Sequence, residues 1–459
     1  MRAILKSKSK KTDLIILLFC ISILLISILC IDIPNLNSKA KIVIFTTVFS
    51  LLLWIYKPVP YSIAGFISLI IMYFLKVDNF SNIFSGFSSA GWFFFFGVLI
   101  LGYAVLKTKI SERIAVIVIK ISKNLFVFAI LLPFLLIFQA LILPSATART
   151  MLLSPIFYNL LKKSNFNEKD PFFRFVMLNL GILNPIASSV YLSGGASTII
   201  AGEVMLNHGI PVNWLLWLKY LWMPVSLLII LSSYQLNFIY NYFLFNRHSL
   251  IIKIEEEEIG NQISIKEKWI ISVIFLVLFL WIAGSYLNIS NAIPPLIAII
   301  LFYFPGINVL NIDDLKKINW NLLIFIGVSI SLANLIISSG AGKWLAQYIF
   351  FYTQKLSNSR VTFFIILFSM LVLIRLIFPN LTTFNACILP AVLSAADHMH
   401  FELLNIAIIT ILSGVVCFLP FQNISSLLLF ENGYYTLNDT ILTGFVLTFS
   451  IIFVIIFIL

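Results

Sequence analysis

Apolar residues run in long stretches from Leu14 to Leu459, separated by short polar or charged joints. Many of these stretches are long enough to cross a hydrocarbon layer of roughly 30 Å. The pattern predicts an all-α polytopic membrane protein of about 11 transmembrane helices. A basic cytoplasmic tail, residues 1–12, precedes a first span in 13–40. Its apolar run, Leu14 to Cys30, has spanning length and no small-residue cleavage site after it, so a cleaved leader is not expected. A helix pair follows, 41–56 and 59–76, split by Lys57-Pro58-Val59-Pro60. Then come a Ser/Gly/Phe-rich segment near the outer surface (79–91), a span from Trp92 to Leu106 and a basic amphipathic stretch, 107–123.

Two later stretches are interrupted. Residues 125–163 are apolar on both sides of Pro144-Ser145-Ala146-Thr147, with lysines at both ends, Lys123 and Lys162/Lys163. Two basic ends predict a re-entrant hairpin with arms 125–143 and 149–162, about 21–29 Å long at 1.5 Å per residue. Residues 172–207 are apolar but break at Ser193-Gly194-Gly195-Ala196-Ser197-Thr198, and 214–242 closes a first unit spanning 41–244. The stretch 245–267, with Glu255-Glu256-Glu257-Glu258, reads as a solvated cytoplasmic linker.

Residues 268–459 replay this order. Pro379-Asn380-Leu381-Thr382 stands 235 residues after the first interruption and splits 361–396; each copy has a proline further on, Pro155 and Pro390. A second break, Pro420-Phe421-Gln422-Asn423-Ile424-Ser425-Ser426, splits 403–430. Trp281 matches Trp54, and Gly327-Val328 matches Gly97-Val98. The first hairpin opens inward and the second outward, which makes the two units an inverted repeat. Non-helical backbone at membrane depth is tolerated only where it lines a protein cavity, and paired breaks in two such units mark the binding site of a secondary transporter.

Composition agrees: the chain is 61% hydrophobic and 10% charged, with mean hydropathy +1.06. The net charge of +12 would suggest nucleic acid if its location were ignored. Most of the 30 Lys and Arg, however, fall in segments assigned to the inner side when the N-terminus is cytoplasmic and the C-terminus periplasmic. The charge is therefore topology, and the partners expected are the lipid bilayer of the inner membrane and a small solute; a second copy of the chain is left open. Cys20, Cys30, Cys387 and Cys417 give no disulfide framework or metal spacing, and His208, His248, His398 and His400 fall in loops or at span ends. No catalytic motif is present, so neither an enzyme nor a transition-metal or organic cofactor is expected.

At each hairpin tip the second arm opens with unpaired N–H groups and the positive end of a helix dipole, which favours an anion. Ser145, Thr147, Asn380, Thr382 and Thr383 are the short polar side chains that cap such an end or meet a ligand. The two breaks offer carbonyls and hydroxyls suited to a desolvated cation, although Gly194-Gly195 also permits close helix packing. Arg149 and Arg375 lie inside the hairpins, and Glu203 is the one acid placed well within the membrane. Their purely structural uses are a mutual Arg149–Glu203 ion pair, and for Arg375 snorkelling or pairing elsewhere.

These residues resemble the divalent anion:sodium symporter family, bacterial relatives of the sodium–dicarboxylate and sodium–sulfate cotransporters in the ion-transporter superfamily. Trp54-Ile55-Tyr56-Lys57-Pro58-Val59-Pro60 is similar to its Trp-x-x-x-Pro-x-Pro segment. Ser145-Ala146-Thr147 with Pro155, and Asn380-Leu381-Thr382 with Pro390, are similar to its two Ser-Asn-Thr signatures. Gly194-Gly195-Ala196-Ser197-Thr198 is similar to its Gly-Gly-x-x-Thr break. The resemblance implies a sodium ion at each tip and one anion shared between them. Substrate contacts would come from Ser145, Ala146, Thr147, Arg149, Ser197 and Thr198 in one half, and from Asn380, Thr382, Thr383, Gln422 and Asn423 in the other. Cation sites, or their substitutes, would draw on Ser145, Arg149, Gly194, Gly195, Ala196 and Glu203, and on Asn380, Asn385 and Pro420. Three departures stand out. Ala146 and Leu381 replace the central asparagines, Gly202-Glu203-Val204-Met205 replaces a Thr-Pro-Pro-Asn, and Arg149 replaces a threonine.

The expectation is a symporter or exchanger of a small dianion, a C4-dicarboxylate or sulfate first, working by alternating access. Arg149 would supply charge that sodium or asparagine supplies in relatives, favouring exchange or proton coupling through Glu203. Other readings are a sodium/proton antiporter or an arsenite-type oxyanion permease of the same superfamily, and, from another class, a membrane-embedded enzyme or scaffold.

Overall fold

Long apolar runs in lipid must satisfy their backbone internally, and this chain does so as helices. The computed structural model describes residues 19, 21–24, 36–56, 58–122, 124–241, 263–344, 359–398 and 401–458; among them there is no strand. The basic tail, most of the first span, most of the linker with its four glutamates, Lys57, Lys123, Cys20, Cys30, His248 and His400 lie outside the described residues.

The first expected unit contains α1 (Ser38–Tyr56), α2 (Tyr61–Phe74), α3 (Ala90–Leu106), α4 (Ile110–Ile121), α5 (Leu125–Ile142), α6 (Ala146–Lys163), α7 (Pro171–Leu178), α8 (Ala196–Asn207) and α9 (Trp214–Asn241). The second contains α10 (Ile265–Leu287), α11 (Ile293–Phe302), α12 (Trp320–Ser338), α13 (Arg360–Arg375), α14 (Leu381–His398), α15 (Leu403–Gly414), α16 (Ile424–Glu431) and α17 (Leu437–Ile458). Seven helical stretches among the described residues are long and apolar enough to cross a membrane, and α3 with α4 makes an eighth, bent by 63°. Four further apolar helices, α2, α11, α14 and α15, are shorter.

Helices of 41–244 pack against helices of 268–459. α3 packs on α11, α12 packs on α2, α14 packs on α8, and α16 packs on α6. The repeated glycines serve this packing: a methyl at Gly97 would stand 2.8 Å from Pro295 Cβ, and one at Gly327 2.5 Å from the Phe87 ring. Trp54 and Trp281 also act alike. The first donates its indole N–H to the Tyr61 carbonyl at 3.2 Å, the second to the Asn291 carbonyl at 3.0 Å. Each indole thereby fixes the entry into the next helix.

Two boundaries differ from the sequence expectation for local reasons. The arm after the first tip begins at Ala146, not 149, because Ser145 caps it and accepts the Ala148 N–H at 3.3 Å. The first break starts upstream of 193–198 and overlaps it: a π-turn at Asn179–Leu183, a short helix Asn184–Ala187 and two 3-10 turns lead to Gly195, after which α8 begins at Ala196. The second break runs through 415–423, with a 3-10 turn at Pro420–Gln422, before α16 resumes.

Candidate functional site

Each tip meets the break of its own unit. The first tip joins α5 to α6 through Leu143, Pro144 and Ser145, and a methyl at Gly195 would lie only 3.7 Å from the Pro144 carbonyl oxygen. Gly194 is tighter: a methyl there would be 1.9 Å from the Ser188 carbonyl oxygen, so only glycine lets the backbone pass. Thr198 ties off the turn, donating to the Leu192 and Gly195 carbonyls at 2.9 and 2.8 Å.

Arg149 stands at the centre of this half. Its side chain is 1% exposed. Nη1 donates to the Leu143 carbonyl at 2.6 Å, Nε to Asn184 Oδ1 at 2.7 Å, and Nη2 to the Asn184 carbonyl at 2.8 Å and Ser188 Oγ at 2.9 Å. Asn184 in turn donates from Nδ2 to the Ala146 carbonyl at 3.0 Å and to Thr150 Oγ1 at 2.8 Å. The guanidinium thus satisfies carbonyls that the tip and the break would leave bare.

The second half reaches the same arrangement by another route. Arg375 ends α13, three residues before the Phe378-Pro379 tip, and is 3% exposed. Nη1 donates to the Phe378 carbonyl at 2.6 Å, Nε to the Gly414 carbonyl at 2.7 Å and Nη2 to the Gln422 carbonyl at 3.1 Å. Gln422 donates from Nε2 to the Arg375 carbonyl at 3.1 Å, while its Oε1 accepts the N–H groups of Phe418 and Leu419 at 2.8 and 2.9 Å. Asn380 caps α14 by accepting the Thr383 N–H at 2.9 Å, and Asn423 accepts the Ser425 N–H at 3.0 Å at the start of α16.

The predicted residues therefore divide. Ser145, Ala146, Thr147, Asn380, Thr382 and Asn423 are half-buried and sit at helix starts, as does Ala196. Ser197, Thr198, Thr383, Asn385, Pro420 and Gln422 are buried. Asn385 links the units: its Nδ2 donates to the Ser197 carbonyl at 3.1 Å, and its buried Oδ1 has no hydrogen-bond partner.

Two structural uses considered for the charges do not occur. Arg149 makes no ion pair with Glu203, because its donors are already directed at neutral oxygens of the tip and break. Arg375 does not snorkel; it turns inward for the same reason. Glu203 instead abuts Gly91 of α3 and lines a cavity of about 430 Å³ with Asn213, Asn288 and Asn291. No residue of either tip lines that cavity. Sequence reading missed Asn184, Ser188 and Gly414; an Asn-Pro pair in the middle of an apolar span was the available signal for the first.

The chain matches known proteins along most of its length. A "membrane protein" of Cupriavidus necator is 22% identical over 285 residues, 60% of this chain and 55% of that protein, so the match spans about half of that relative. The sodium-dependent dicarboxylate transporter SdcS of Staphylococcus aureus is 23% identical over 378 residues, 74% of this chain and 72% of the transporter. Residues 10–459 match the family model described as the sodium:sulfate symporter transmembrane region, and with its apolar helices, paired tips and paired breaks the chain belongs to that family.

Proposed function

We propose that this protein is a secondary active transporter of a small dianion, C4-dicarboxylates first, moving it across the inner membrane by alternating access. One observation carries this reading: two proline-led tips, 235 residues apart in sequence, each present a capped helix start beside a buried guanidinium. Helix N-termini and cations both favour an anion. The membership of the family and the printed name of the staphylococcal relative agree with it.

In this reading the two units are inverted and the helix pairs α5–α6 and α13–α14 are re-entrant hairpins. The half-buried Ser145, Ala146, Thr147, Asn380, Thr382 and Asn423 touch the anion. The buried Thr198, Thr383 and Gln422 hold the backbone around them. Transport follows when the part carrying the tips moves against the scaffold of α1–α3 and α10–α12. A cation/proton antiporter needs an acid at the tips; among the described residues no carboxylate is paired with Arg149 or Arg375, and Glu203 faces another cavity.

A thermal-shift screen of the purified protein against succinate, citrate, sulfate and arsenite, each with and without sodium, tests the proposal. Stabilisation by a dicarboxylate, followed by its exchange in proteoliposomes, is the expected result. Stabilisation by sodium alone, with no response to any anion, is the result that sinks it.

A further inference from the structure

We infer that Arg149 and Arg375 are built-in cations that take the oxygen sets a coupling sodium ion would need, so that anion binding and exchange by this chain do not depend on sodium. The inference rests on the anion-transport reading above and concerns what balances the anion's charge.

The donor chemistry comes first. Unwound carbonyls at helix breaks are what coordinate sodium in transporters with broken helices. Here those oxygens face nitrogen. Arg149 engages the carbonyls of Leu143 and Asn184, the Asn184 amide oxygen and the Ser188 hydroxyl. Arg375 engages the carbonyls of Phe378, Gly414 and Gln422. Other oxygens of the breaks are engaged as well: Gln422 Oε1 accepts two N–H groups, and the Leu192 and Gly195 carbonyls accept Thr198 Oγ1, while the buried Asn385 Oδ1 has no partner. The tip and break carbonyls that the guanidinium groups hold do not fit a metal cation as well, because it would stand against a fixed positive charge.

The charge comes second. Every acceptor of both guanidiniums is neutral, and both side chains are almost fully buried, at 1% and 3% exposure. An intramembrane charge without a carboxylate partner is costly and marks function. Two such fixed charges beside two opposed helix starts match the charge of one dianion without any ion from solution.

The placement comes third. Leu143 and Phe378 are equivalent positions of the repeat, 235 residues apart, yet the two arginines are not. One follows its tip carbonyl by six residues and the other precedes it by three. Guanidinium groups delivered from opposite arms to equivalent carbonyls point to a shared task rather than to an inherited copy.

The test uses the full chain in proteoliposomes loaded with succinate, following uptake of labelled succinate with external and internal sodium replaced by choline. A coupled ion changes ligand affinity by about 5–150-fold. We expect exchange to change by less than about twofold between the two salts. A loss of about tenfold or more in choline, with exchange intact in sodium, overturns the inference while leaving the transport reading in place. Absence of succinate, citrate and sulfate exchange in both salts overturns the transport reading and the inference with it. A second measurement follows melting temperature. Arg149→Ala and Arg375→Ala open an oxygen set, so these variants gain a sodium-dependent rise that the wild type lacks. A wild type that melts higher in sodium than in choline counts against the inference.

Discussion

Arg149 and Arg375 hold equivalent carbonyls in the two halves of the molecule: Nη1 of each lies 2.6 Å from the oxygen of the residue that precedes a tip proline, Leu143 or Phe378. A proline supplies no N–H, so a tip leaves carbonyls without helical partners. A planar fork with five donors serves several of them at once. Each arginine thereby fastens a tip to its break as well as charging it.

The fork geometry makes Arg375→Lys non-conservative. A single ammonium on a flexible stem does not span the Phe378, Gly414 and Gln422 carbonyls. The variant is expected to lose about 1–3 kcal/mol of stability for the acceptors left bare. Its melting temperature in detergent should drop, and its succinate exchange should fall with it. Wild-type values for both would show that the fork is not required.

Asn184→Asp tests charge without removing the arginine. The new carboxylate would sit where Asn184 Oδ1 accepts Arg149 Nε at 2.7 Å, cancelling its charge while keeping it held. Succinate affinity should weaken by about tenfold or more, the scale on which misplaced like charges act. Calorimetric titration of folded variant and wild type checks this, and equal affinities would remove Arg149's field from the account.

The glycine pair separates backbone fit from packing. Gly194→Ala puts a methyl 1.9 Å from the Ser188 carbonyl oxygen, whereas Gly195→Ala meets nothing closer than 3.7 Å. Gly195 has φ 167°, extended backbone that any residue adopts. The first substitution should cost about 2 kcal/mol or more through forced backbone movement, the second less than about 0.5 kcal/mol. Thermal unfolding of the two proteins side by side is the measurement, and similar losses would mean the break relaxes more easily than its geometry implies.

Asp314 offers a pH-dependent contribution away from the site. Its side chain is 1% exposed and accepts Lys107 Nζ at 2.6 Å, the Asn311 N–H at 2.8 Å and Tyr103 Oη at 3.2 Å, tying the end of α3 to the loop before α12. Burial pushes the carboxyl up, but the hydrogen bonds from Lys107 and the Asn311 backbone outweigh it and hold it well below the usual carboxylate range. A depressed folded-state value means the contribution is complete above the unfolded value of about 4 and disappears as pH falls beneath it. Asp314→Asn should therefore melt earlier at neutral pH, by about 1–2 kcal/mol, and the gap to wild type should close in strong acid. A gap that widens in acid would reverse the sign.

Much of this molecule was legible in its pattern. Breaks show in sequence because proline, glycine and clustered hydroxyls are costly in lipid-facing helix, so Pro144, Pro379 and Gly194-Gly195 announced themselves. The ends of helices were less legible. Ser145 extends α6 backward by a capping bond that hydropathy does not register. The partners of the charges were not legible, because Asn184 and Gly414 meet the arginines from residues 35 and 39 positions away and belong to no repeat motif.

The sequence by itself determined the class of the protein, the paired interruptions and the presence of Arg149, Arg375 and Glu203 inside apolar stretches, because the cost of polar groups in hydrocarbon depends on composition along a single segment. Only the tertiary structure decided what those charges do. Glu203 was the obvious partner for Arg149 by charge, but it faces α3 and a separate cavity. The equivalence of Arg149 and Arg375 is likewise invisible in the repeat, since the residue 235 positions after Arg149 is Phe384 and the one 235 before Arg375 is Ala140. Long, flexible side chains reach one point in space from different places in sequence, and carbonyl groups in need of a donor select that point only after the helices have packed.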